Sequence, residues 1–218
     1  MDMYPPGSAK PGKLSWLGKV ISVQPRIRLT RSFDERSHTY LGYGLRFQGT
    51  IGEENREFSV GIGKGAHAKH QFQAGDIVSG MSEPVADTRI EPVEFYKTSG
   101  LEVLERAEQQ VAQSPPWLGV PLELEAYRAR GHRRLDAKTY EAKCQSCIWG
   151  CKMAVEMIID QWNPSVRRYR SETFCYGPKS CPVYKAGPTR KVPGRKGMTW
   201  EEADWIDDEA TRHRGMDE

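Results

Sequence analysis

From residue 18 to about residue 105, apolar side chains recur at every second position, the period of strands that bury one face. Val20, Ile21 and Val23 lead past Pro25 into Arg26-Ile27-Arg28-Leu29-Thr30-Arg31, where basic and apolar residues alternate. The run His38 to Phe47 sets Leu41, Tyr43, Leu45 and Phe47 against Tyr40, Gly42, Gly44 and Arg46. A third run sets Phe58, Val60 and Ile62 against Glu57, Ser59 and Gly61. The pattern then breaks at Ala66 to Phe72, read as a short helix. Gly75-Asp76-Ile77-Val78-Ser79-Gly80 predicts a turn feeding a fourth strand, and Glu94 to Lys97 a fifth.

Beyond this the alternation fades. Residues 106–121, with Pro115-Pro116-Trp117-Leu118, predict a linker that docks on its neighbours. Between Cys151 and Phe174, Met153, Val155, Met157 and Ile159 alternate with polar residues on either side of the turn formers Asn163-Pro164-Ser165, which predicts a hairpin. A helical face through Cys151, Ala154, Val155, Ile158 and Trp162 competes with it, and periodicity leaves both open. Residues 187–197 read as a basic loop. Thr199 followed by Glu202 has the form of a capping box, predicting a helix from Trp200 that turns Trp200, Ala203 and Ile206 inward. After Thr211 the tail is expected to fray.

Three meandering strands, a short helix and two further strands resemble the element order of an OB-fold, a small five-stranded barrel. The stretch Gly75–Gly80 followed by Glu83-Pro84-Val85 is similar to the lead into the fourth strand of such barrels. The expected fold class is mainly β (α+β). Its expected parts are a lead-in at 1–16, an OB-like barrel over 17–105, a linker at 106–121, and a cysteine-rich module with a carboxy-terminal helix over 122–218. The resemblance implies no catalytic residues.

Composition narrows the class. At 38% hydrophobic and 28% charged, the 218 residues can bury a core, in one large domain or two small ones. No apolar run is long enough for a bilayer, and the first residues lack the charged-then-apolar order of a signal peptide, so a cytoplasmic protein with no membrane contact is expected. The net charge of +3 names no partner, so the position of each arginine matters more than the sum.

The cysteines carry the clearest chemistry. All five fall in Cys144-Gln-Ser-Cys147-Ile-Trp-Gly-Cys151 and Cys175-Tyr-Gly-Pro-Lys-Ser-Cys181-Pro182. Reduced thiols grouped at turns are a metal-ligating pattern. A hairpin between two sulfur-bearing turns resembles a zinc ribbon, which implies a structural zinc ion on Cys144, Cys147, Cys175 and Cys181. The wide second spacing, the extra Cys151 and Pro182 behind the last cysteine also fit a 4Fe-4S iron–sulfur cluster, with Cys151 as an alternative ligand.

Arginine beside an exposed aromatic on neighbouring strands suits single-stranded nucleic acid, which needs charge for phosphates and a ring for bases. The candidates are Arg26, Arg28, Tyr40 and Arg46 on the barrel, Arg130 and Arg133 in a basic run that packs Arg128, Arg130, His132, Arg133 and Arg134 into seven residues, and Arg190 and Arg195 in the basic loop. The expected function is therefore non-catalytic binding of single-stranded or structured DNA or RNA, with a protein partner as a further expectation. Two alternatives stand beside it: an iron–sulfur protein with redox or enzymatic duty, and an acyl-CoA-binding accessory subunit of a thiolase-like enzyme. No nucleophile motif or paired acid and base supports catalysis.

Overall fold

The computed structural model describes residues 12–32, 35–108 and 114–217. Its first half is the expected ring. The strands are β1 (Leu14–Arg31), β2 (Arg36–Ile51), β3 (Glu54–Ile62), β4 (Ile77–Pro84) and β5 (Phe95–Glu105), with α1 (Lys64–His70) between β3 and β4. They hydrogen-bond in the order β2-β3-β5-β4-β1, and β1 returns to β2 to close the ring. Alternation is the cause: Ile27, Leu29, Tyr43, Leu45, Phe47, Phe58, Val60 and Ile62 are all buried inside. The barrel is thus OB-like, within a mainly β fold. Among the described residues, no helix is long and apolar enough to cross a membrane.

The second half adds to this sheet. It contains α2 (Leu124–Arg130), β6 (Arg133–Arg134), α3 (Ala137–Thr139) running into a π-turn at Tyr140–Cys144, β7 (Gly150–Ile158) and β8 (Arg167–Cys175). The segment 151–174 is the hairpin, with Gly150–Ile158 paired antiparallel to Arg167–Cys175. Strand β7 also lies parallel to β1, Arg28 to Arg31 facing Ala154 to Met157. The eight strands form one sheet, and Cys151, Met153, Val155, Phe174 and Tyr176 pack into the same core as the barrel residues. The linker docks as expected where it is described, with Trp117 accepting a backbone hydrogen bond from Ile148. Residues 109–113 of it, and most of the 1–16 lead-in, lie outside the described residues.

Three expectations at the carboxy terminus are corrected. The basic loop contains a strand, β9 (Arg190–Pro193), followed by a single 3-10 turn at Arg195–Gly197. The helix does not start at Trp200. Thr199–Glu202 is strand β10, paired with β9 so that Trp200 faces Val192, and α4 runs over Asp204–Thr211 with no side-chain cap. Glu202 is drawn away from a capping role because its carboxylate takes Arg31 and Arg36, each at 2.8 Å. The tail after Thr211 is pinned by buried Arg214, whose Nη1 donates to the carbonyls of Tyr176 and Gly177.

Candidate metal centre and adjoining cleft

Two tight turns carry the sulfurs. In the first, Asp136 caps α3 by accepting from the Thr139 N–H, the π-turn delivers Cys144, and the chain folds back through Cys147 N–H to Cys144 O at 3.1 Å. Gly150 N–H then donates to Cys147 O at 3.0 Å. A side chain at 150 is excluded because its Cβ would fall 2.5 Å from the Cys144 carbonyl. In the second turn β8 ends on Cys175, and Cys181 N–H donates to Pro178 O at 3.2 Å. Cys144, Cys147, Cys175 and Cys181 line one small cavity, walled by Trp117, Leu135, Trp149 and Tyr184. The first three are buried and Cys181 is half-buried.

Donors surround these sulfurs. The Gly177 N–H points at Cys175 Sγ from 3.4 Å, and Cys147 accepts from the backbone N–H groups of Trp149 and Trp117. The Arg133 guanidinium reaches Cys175 and lies 3.9 Å over the Tyr184 ring. Burial, helped by the neighbouring thiols, pushes Cys144 up to about 12. Burial likewise pushes Cys147 up to about 11, against the two N–H donors. Among the described residues, no three or more His, Cys, Asp or Glu side chains are already arranged as a set that could hold a metal ion. The four thiols share a cavity; they are not a formed coordination shell.

Cys151 is elsewhere. It is fully buried in the barrel-side core and donates its S–H to Pro25 O at 3.3 Å. The structure therefore brings together four of the five cysteines and leaves the alternative ligand out.

Gln24 ties the first cysteine turn to the barrel. This buried β1 side chain donates from Nε2 to the carbonyls of Cys144 (2.9 Å) and Cys147 (2.8 Å), and its Oε1 accepts from Tyr140 at 2.7 Å. Gln24 also lines a cleft of about 360 Å³ between the outer face of β1–β3 and the second module. Arg26, Arg46 and Lys152 bring positive charge to this cleft, and Glu57 and Glu94 bring negative charge. Its floor crosses three strands, with Gln24 of β1 facing Gly44 of β2 and Arg46 of β2 facing Ser59 of β3.

The predicted nucleic-acid contacts are scattered, and nearly all are engaged within the chain. Arg26 and Arg28 share Glu91. Arg46 is held by Glu57 and Gln145. Tyr40 is half-buried, with Arg128 4.7 Å above its ring. Arg130 donates to Tyr176 O over the Trp149 ring, and Arg133 donates to Pro178 O. Arg190 is buried between Glu172 and the Thr173 carbonyl. Arg195 is the most open, 3.7 Å from Asp160. Only Arg26 and Arg46 of this set line the cleft. Gln24, Gln145 and Lys152 are cleft residues that the sequence pattern does not single out. The outward position of Lys152 on β7 is a legible signal, whereas nothing local marks Gln24. Scans against protein-family models, curated proteins and solved structures found no match to this chain.

Proposed function

We propose that this chain is a non-catalytic nucleic-acid-binding protein of the cytoplasm, with a single structural zinc ion on Cys144, Cys147, Cys175 and Cys181. The residues fit a thiophilic ion. Four sulfurs line one cavity, and backbone N–H groups stand where they would stabilise thiolates. Desolvation alone keeps such thiols neutral, and a divalent cation supplies the charge that lets them ionise. With four protein ligands no position stays open for water, so the ion's role is structural.

The observation that carries the binding role is the cleft and its hinge to the sulfur site. Its size suits about one nucleotide unit at a time, a strand threading across an open floor. Arg26, Arg46 and Lys152 supply phosphate partners. Through Gln24, an ion on the cysteines would hold Tyr140 in the cleft's far wall. Binding of a labelled single-stranded oligonucleotide should fall steeply with salt, and Lys152→Glu should lower the salt slope by about 0.7 for each phosphate that the variant no longer neutralises. Salt-insensitive binding, or a Lys152→Glu protein that binds as the native one does, refutes the assignment. Metal analysis of the purified protein should return about one zinc per chain, the stoichiometry of a closed four-thiolate site.

A further inference from the structure

The segment 85–94 between β4 and β5 lies across the outer face of β1–β3, held at its end by Glu94 on Ser59 and Arg56 and at its middle by Glu91. Glu91 Oε1 accepts from Arg28 Nη2 at 2.8 Å, and its Oε2 stands 3.4 Å from Arg26 Nη1. Arg28 Nε donates to the Ile90 carbonyl at 2.9 Å. The side chains of Arg26 and Glu91 are 11% and 10% exposed. Arg26 is placed by its surroundings: Nη2 donates to Leu41 O, and the guanidinium lies over Gly61, where a Cβ would meet Nη1 at 2.4 Å. Its Nε is buried with no partner. Val93 settles over Gly44, and Glu94 accepts from the Ser59 N–H at 3.0 Å.

A guanidinium pair that holds a carboxylate has the geometry and charge to hold a phosphodiester, because both anions present two oxygens to planar N–H donors. We propose that Arg26 and Arg28 form a phosphodiester site at the edge of the cleft, and that Glu91 occupies it until a nucleic-acid phosphate displaces it and frees residues 85–94. This rests on the nucleic-acid reading above and specifies one of its contacts. The unpartnered Arg26 Nε is the donor that the carboxylate leaves unused and an incoming phosphate oxygen takes. Both arginines are legible as phosphate contacts from their outward strand positions, and the structure adds the anion already on them.

The test uses the full chain and fluorescently labelled single-stranded oligothymidine and oligouridine. Glu91→Gln keeps the shape of the side chain and removes its charge. It should bind either strand about tenfold more tightly at low salt, since an internal competitor has been neutralised. Adding Arg26→Gln should abolish that gain. In the native protein, hydrogen exchange of the amides of residues 85–94, including Val85 (bonded to Glu94 O), should rise when the strand is added. If the native protein binds and Glu91→Gln binds no tighter, the displacement is refuted and the nucleic-acid reading stands. Should Glu91→Gln fail to fold, unchanged exchange in the native protein on strand binding refutes it as directly. If neither folded protein holds a strand, both readings fall.

Discussion

Inside the ring, aromatic residues meet face and edge: Trp16 and Phe47 at 4.9 Å, Phe47 and Phe58 at 5.3 Å, Phe58 and Phe95 at 6.3 Å. The second module adds a buried ionic cluster to its share of that apolar core. Arg31 bridges Glu202 (2.8 Å) and Glu172 (3.2 Å), Arg190 joins Glu172 at 2.8 Å, and Arg134 joins Asp207 at 2.9 Å. Arg31, Glu172, Glu202 and Arg190 are each under a tenth exposed. One sheet is thus held by two chemistries with different tolerances. Apolar packing loses stability in proportion to the volume removed. A buried ion pair adds little net energy when whole and costs much when halved, because the stranded partner keeps its desolvation penalty.

Four experiments would separate these two chemistries. Chelation, or Cys175→Ser, should have the largest effect. If the proposed zinc ion is bound, this removes a ligand whose binding in small zinc modules is worth about 10 kcal/mol, so the melting temperature should fall by well over ~10 °C. Phe47→Ala in the ring should cost about 3–5 kcal/mol in denaturant unfolding and leave zinc content unchanged. Glu172→Ala should cost about 3 kcal/mol, because Arg31, Arg190 and Arg170 would lose their shared carboxylate, whereas replacing the whole cluster with apolar residues should cost far less.

The most gradual effect is a pH dependence. His38 and His132 stand edge to face at 4.9 Å, with Phe174 and Tyr176 beside His132 and Arg31, Arg36, Arg190 and Glu202 around the pair. Burial, then Arg36 and Arg31, lowers His38 to about 4, and burial lowers His132 well below its ordinary value. The unfolded chain then binds more protons than the folded one, so stability is full above about pH 6.5 and falls toward pH 4, by at most about 1.4 kcal/mol per unit for each histidine. His38→Gln should flatten its share of that slope, read as the difference from the native protein so that acid loss of metal cancels.

How much of this is legible in the sequence follows from how local each signal is. Alternation around Leu45, Phe47, Val60 and Ile62 predicts the ring because every strand there has one wet and one dry face. The cysteine spacing marks the two turns whose sulfurs share a cavity but leaves Cys151 open as a ligand, because only the strand it sits on turns its sulfur toward Pro25. Thr199 and Glu202 mislead because a capping pattern spans four residues, while Glu202 is claimed by an arginine 171 positions away. Distance along the chain also hides the partners of the outward arginines Arg26 and Arg28, which close on Glu91. Gln24 has no sequence signal at all, because its partners are two carbonyls of a turn more than a hundred residues later.

Strand β1 serves three neighbours along its 18 residues: β4 at Leu14–Lys19, β7 at Arg28–Arg31, and β2 along nearly its whole length. Cutting the chain after β5 would therefore not release a finished barrel. It would strip the cover from Arg28–Arg31 and present a bare row of N–H and C=O groups to any passing chain, a known route to aggregation. Anyone truncating this protein to obtain a minimal fragment must carry β7 along, even though it comes 45 residues after the ring is complete.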